Sequence, residues 1–172
     1  GKYTDPKNNG YNVWMDEVMF KPRWDGQAAY MLPPIMNYHN GPTGFTYNPG
    51  TALGKKWKNH FFVSEFVGNP SRSHIWGFTL KRKGFSFELE KETDVISGLL
   101  PTGIRFGPDG ALYFADWING WGTKNYGRVW RLDVKEDEND LQAERLETKA
   151  LMEMDYQKAD ASKLFELSLI HI

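Results

Sequence analysis

The sequence predicts an all-β chain, part of a β-propeller made of four-stranded antiparallel blades, followed by a short helical segment. Three observations carry this. Pro42-Thr43-Gly44-Phe45-Thr46-Tyr47-Asn48-Pro49 recurs as Pro101-Thr102-Gly103-Ile104-Arg105-Phe106-Gly107-Pro108, so one unit is repeated at an offset of 59 residues (42 to 101). Pro101 to Trp117 reads as a hairpin, with Gly107-Pro108-Asp109-Gly110 supplying turn chemistry between two runs of strand formers. Phe61 to Phe66 matches Leu112 to Trp117, and Ile75 to Phe78 matches Val129 to Leu132, in the same order in both copies.

Along the chain, Gly1 to Asn12 is polar and rich in turn formers, which predicts a surface loop. Trp14, Val18 and Met19 permit one helical turn that Pro22 limits, and Ala28 to Leu32 can form a strand before Pro33-Pro34 forbids a central ladder position. The first repeat unit occupies 41–99 and adds a fourth strand at Phe85 to Leu89, where FSFEL alternates. The second occupies 100–134 and lacks an obvious fourth strand, because the charge run Lys135 to Asp140 follows; a propeller would finish there, its outer strand supplied by the N-terminal part of a longer chain.

A blade cannot bury both faces alone, and propellers need about four to eight of them. Residues 1–134 therefore read as about two to three blades of a larger ring, in a chain that does not begin with Met and reads as starting mid-protein. Residues 135–148 read as a charged linker. From 149 to 166 helix formers dominate, with Asp160 placed to cap a helix through Leu164 and Phe165. The last six residues, 167–172 (LSLIHI), resemble the translation of a sequencing-library adaptor and are set aside as an assembly scar.

Composition narrows the function classes. The content is 40% hydrophobic and 15% aromatic, as in a globular β-rich protein, and a net charge of −1 offers no general attraction to nucleic acid or an anionic membrane. No apolar run is long enough to span a bilayer. The absence of cysteine excludes a disulfide, a thiolate metal site and a haem-attachment motif within these residues, without fixing the compartment. There is no metal-ligand spacing, nucleophile elbow or phosphate loop.

In a four-stranded blade the loops alternate between two faces. The face receiving the loop between the second and third strands is the richer one, and the candidate residues there are His39, Asn40, Trp117, Asn119, Trp121 and Lys124. His39 and Asn40 are placed to reach the axis as acid, base or ligand, or to satisfy turn backbone groups. Trp117 and Trp121 suit stacking on a planar cofactor or sugar, or wedging between blades. Glu65 and Asp116, at equivalent strand ends, are expected to bond a neighbouring loop backbone. Gly44, Gly103, Pro108, Asp109 and Gly110 read as repeat architecture, and His60 and His74 as structural. No residue is singled out as catalytic.

The ordered blocks GPTGFTYNPG, NHFFVSEF, IWGFTL, GIRFGPDGALYFADW and GRVWRLD resemble the final blades of the pyrroloquinoline-quinone (PQQ) sugar and sorbosone dehydrogenase-like propellers. The resemblance is closest to large bacterial members in which HEAT-type helical repeats and a c-type cytochrome domain follow the propeller. It covers about Tyr3 to Phe165. It implies a ring of about six blades, a periplasmic or extracytoplasmic location, and oxidation of a sugar or other alcohol or aldehyde with electrons passed to haem. PQQ and Ca²⁺ would serve the whole protein, with the remaining blades and the cytochrome domain as partners, and the catalytic histidine would lie in an earlier blade. These residues alone are then expected to be inactive. Members that bind the quinone resemble GRIRDV before the last PDG turn, whereas Leu99-Leu100-Pro101-Thr102-Gly103-Ile104 stands here with Arg105 one position further on. A carbohydrate- or protein-binding propeller and a lactonase-like hydrolase are the alternatives.

Overall fold

A computed structural model describes residues 18, 21–27, 35–36, 38–48, 50–118, 125–135, 138 and 140–169. The chain divides into two compact units, Gly1–His39 with Leu80–Glu90, and Asn40–Thr79 with Lys91–Ile172. The loop, helical turn and strand expected before Pro33 lie largely outside the described residues. Of that region Val18 and 21–27 form turns, closed by Lys21 N–H donating to the Val18 carbonyl and Gln27 N–H to that of Trp24.

The chain is mostly β. One antiparallel sheet has the order β1-β2-β3-β4, with β1 at Pro42–Tyr47, β2 at Phe61–Glu65, β3 at His74–Lys83 and β4 at Ser86–Ser97; the other has the order β5-β6-β7, with β5 at Pro101–Phe106, β6 at Leu112–Asp116 and β7 at Arg128–Leu132. Both are meanders of sequential strands, and among the described residues neither closes on itself. The fourth strand expected at Phe85 to Leu89 runs on to Ser97, because Val95 and Ile96 extend its apolar pattern and pack on the core. The helix expected from 149 begins earlier. α1 spans Gln142–Glu153, beginning inside the stretch 135–148 read as a linker, and α2 spans Ala161–Leu169. Asp160 precedes α2 as expected, its Oδ1 accepting from the Lys163 amide at 2.8 Å.

The repeat is carried into detailed geometry. In the first sheet Pro42 pairs with Glu65 and Gly44 with Ser64; in the second Pro101 pairs with Asp116 and Gly103 with Ala115. Thr43 and Thr102 are thus the extra residues of equivalent bulges. Just outside each, a backbone bond closes the ladder: Phe66 N–H to the Gly41 carbonyl, and Trp117 N–H to the Leu100 carbonyl, both at 2.9 Å.

The core forms between the two sheets. Phe62 and Ile75 point from the first; Ile104, Leu112 and Phe114 point from the second, and Leu53 joins them from the loop after β1. Strand periodicity explains the choice, since alternate side chains face alternate sides. β1 and β5 lie close together: Thr43 Oγ1 donates to the Pro101 carbonyl at 2.7 Å, and Arg105 Nη1 donates to the Phe45 carbonyl at 2.7 Å.

Gly44 makes this approach possible. A Cβ there would sit 2.8 Å from Ile104 Cγ2 and 2.9 Å from the Ile104 backbone nitrogen, whereas a Cβ on Gly103 would meet nothing within 4 Å. Gly44→Ala is expected to destabilise the protein by about 1–3 kcal/mol through overpacking against backbone that cannot retreat. Gly103→Ala is expected to stay within about 0.5 kcal/mol. Paired urea denaturation curves test this, and equal losses at both sites would contradict it.

Candidate functional site

The end of β6 is where the sequence places most candidate chemistry. Asp116 closes that strand and is 6% exposed. Its Oδ1 accepts from the amides of Leu100 (3.0 Å) and Ile118 (2.9 Å), and its Oδ2 accepts from Trp130 Nε1 at 3.0 Å. Burial penalises the Asp116 carboxylate, but the hydrogen bonds from Trp130, Ile118 and Leu100 outweigh that cost and hold its pKa below the ordinary value. Asp116 thus braces the loop on either side of it, as expected. At the equivalent place in the first sheet, Glu65 Oε2 accepts from Trp76 Nε1 at 2.8 Å. A carboxylate–indole pair across the second and third strands is therefore part of the repeated unit, which sequence alignment of the strands alone did not reveal.

Immediately beyond Asp116, Trp117 is 42% exposed and Ile118 adopts φ +74°, a left-handed conformation that a β-branched side chain rarely takes. Asn125, at the far end of the same loop, has φ +54°. Asn119, Trp121 and Lys124 lie outside the described residues. In the other compact unit His39 is half-buried, its ring edge-on to Tyr38 with centroids 4.4 Å apart. Asn40, the first residue of the unit that holds Asp116, is exposed. His60 and His74 have structural contacts: His60 is edge-on to Trp57 at 5.2 Å, and His74 Nδ1 lies 3.0 Å from Asp94 Oδ2.

The opposite end of the second sheet, read as a plain turn, carries the denser set of charges. Asp109 Oδ1 accepts from the Ala111 amide at 3.1 Å, and its Oδ2 accepts from Tyr113 Oη and Arg131 Nε, each at 3.0 Å. Desolvation opposes the Asp109 carboxylate, and these donors together hold its pKa down despite that. Arg131 Nη2 also reaches Asp133 Oδ2 at 2.7 Å, and Arg145 reaches the same oxygen at 2.8 Å. These residues line a cleft of about 270 Å³ beside α1. Asp109, Arg131, Asp133 and Arg145 are all paired there, so the cluster is a fastening for the helix. The only signal of it in the sequence is the i, i+2 spacing of Arg131, in β7, and Asp133, just past its end.

A shallower groove of about 510 Å³ runs along Gly44, Gly103, Arg105, Tyr113, Ala115 and Val129. Arg105 stands one position past the block where the resemblance noted above would call for a quinone-holding arginine. Its Nη1 donates to the carbonyls of Phe45 and Ile104, at 2.7 and 2.9 Å, so it acts as a strut between β5 and β1. That geometry does not fit a clamp on quinone carboxylates. Among the described residues no three His, Asp or Glu side chains converge as a metal site would require, and no helix is long and apolar enough to cross a membrane. Compared with family models, with curated proteins and with solved structures, the chain matches none.

Proposed function

We propose that this chain is two blades of a larger β-propeller of the extracytoplasmic sugar or sorbosone dehydrogenase type, in which these blades are scaffold and oxidation takes place elsewhere in the ring. One observation supports the incomplete-ring reading above the rest. The positions that form the core face of the first sheet recur on the second sheet facing away from it. Ile75 is 0% exposed while its counterpart Val129 is 75% exposed, and Gly44 is in tight contact while Gly103 is open. Thr43 Oγ1 reaches across to the Pro101 carbonyl, whereas Thr102 Oγ1 is 3.5 Å from the Ala115 carbonyl of its own sheet. A second sheet built to the same plan has the surface for a further neighbour.

The dehydrogenase assignment rests on the ordered sequence blocks, with PQQ, Ca²⁺ and c-type haem supplied to the whole protein. No step is assigned to residues of this chain. A second reading, a carbohydrate- or protein-binding propeller without catalysis, is favoured by the use of Arg105 as a backbone strut. The longer parent protein, loaded with PQQ and Ca²⁺ and assayed for dye reduction over a panel of sugars, separates the two. Substrate-dependent reduction by the parent and none by residues 1–172 is the expected result. Failure of the parent to take up the quinone would favour the binding propeller. The ring itself is tested apart from the chemistry, because Gly103→Ala should be as damaging in the parent as Gly44→Ala.

A further inference from the structure

We infer that the tip of the β3–β4 hairpin is a docking point for an anionic lipid surface, with Phe85 entering the headgroup layer and Lys81, Arg82 and Lys83 meeting its negative charge. The inference is independent of the dehydrogenase reading and of any ring. β3 ends at Lys83 and β4 begins at Ser86, so Gly84 and Phe85 alone make the turn. Gly84 has φ +61°, as the first central residue of a tight hairpin turn requires, and a Cβ there would meet nothing within 4 Å. This turn holds Phe85 at the apex, where its side chain is fully exposed, and Phe87 behind it is exposed as well. Lys81 and Lys83 place their Nζ atoms 3.0 and 2.7 Å from the two oxygens of Glu88. These three therefore share one face of the ribbon, and strand alternation puts Arg82 and Phe87 on the other. Both faces of the tip thus carry cations behind an apolar apex.

The charge pattern decides for a lipid surface over a nucleic acid. Residues 81–88 carry a net charge of +2, with Lys81, Arg82 and Lys83 against Glu88, whereas 90–94 carry −2, with Glu90, Glu92 and Asp94 against Lys91. A phosphate backbone lying along the ribbon would meet both signs. A negatively charged plane met end-on by the turn is felt by the basic part alone, because Glu90 lies five residues behind Phe85, roughly 16 Å along the strand and about twice the screening length in physiological salt. The whole chain has a net charge of −1, so the attraction belongs to the tip and not to the protein at large. One ring and three cations make a reversible contact, not a stable anchor.

The test floats the full 172-residue chain with vesicles of phosphatidylcholine alone, or of phosphatidylcholine mixed with phosphatidylglycerol, at millimolar lipid. Binding to the anionic vesicles is expected to be at least about tenfold tighter, and to fall at least about fivefold in Phe85→Ser and in Arg82→Glu. Both residues are exposed, so these variants are expected to fold. The chain has no cysteine, so Ser86→Cys carrying an environment-sensitive fluorophore reports entry into the lipid directly. Its emission should shift to the blue on anionic vesicles, while the same label on Glu92→Cys should not move. Equal binding to both vesicles, undiminished binding by either variant, or a silent label at 86 would overturn the inference. Tighter binding to a random-sequence oligonucleotide, lost in the same two variants, would overturn it in favour of nucleic acid.

Discussion

Asp116→Ala is expected to lower the melting temperature by about 6–12 °C, corresponding to about 3 kcal/mol for a chain of this size. The carboxylate is buried and satisfies three donors at once: two backbone amides and the Trp130 indole. Removing it leaves those donors with no acceptor in a place water reaches poorly, and such orphaned groups cost more than the bonds were worth. The strained Ile118 loses the bond to its amide, so local opening should spread from 117 onward. The pH dependence follows from the same contacts. The folded state holds the pKa of Asp116 below its unfolded value, so folding favours the ionised form. Its contribution is present above the ordinary aspartate value of about 3.9 and is lost as pH falls through the lower folded value. Asp116→Ala should therefore show a shallower loss of stability on acidification below pH about 4 than the unsubstituted chain. An unchanged melting temperature at neutral pH would refute the bracing role.

Arg145→Ala should release α1 while leaving both sheets in place. Arg145 is 5% exposed. Its Nε and Nη2 both donate to the Asp109 carbonyl, at 3.0 and 2.6 Å, and Nη2 also reaches Asp133. Truncation leaves that carbonyl unpaired and removes one of two cations facing Asp133, at an expected cost of about 3–5 kcal/mol to helix docking. Hydrogen exchange is the direct readout: protection across Gln142–Glu153 should fall toward that of an isolated helix, which is marginal at this length. Protection in β5 and β6 should change little. Arg145→Lys should fail to rescue, because one ammonium cannot reproduce the fork. Gly110 contributes from the other side, since it has φ +74° and a Cβ there would lie 2.6 Å from Arg145 Nε. Undiminished protection of α1 in Arg145→Ala would mean that the helix is held by its apolar contacts alone.

Strand order and the existence of two matching units were legible in the sequence because they depend on local patterns. Alternation, the Gly107 to Gly110 turn, the recurring Pro-Thr-Gly and the Asp160 cap each act within a few residues. The lengths of β4 and α1 were not legible. Both are extended by tertiary anchors: Val95 and Ile96 on the core in one case, Arg145 on a turn 36 residues earlier in the other. The place of Asp116 at a strand end points to a carboxylate bonding a neighbouring loop; that its other oxygen takes the Trp130 indole, one strand further on, depends on how β6 and β7 pair. The most telling contrast is between Gly44 and Gly103. They stand at the same place in the same motif, and no local rule separates them. Only the packing of β1 against β5 makes the first a close approach and leaves the second open, because steric fit is decided by what lies across the interface.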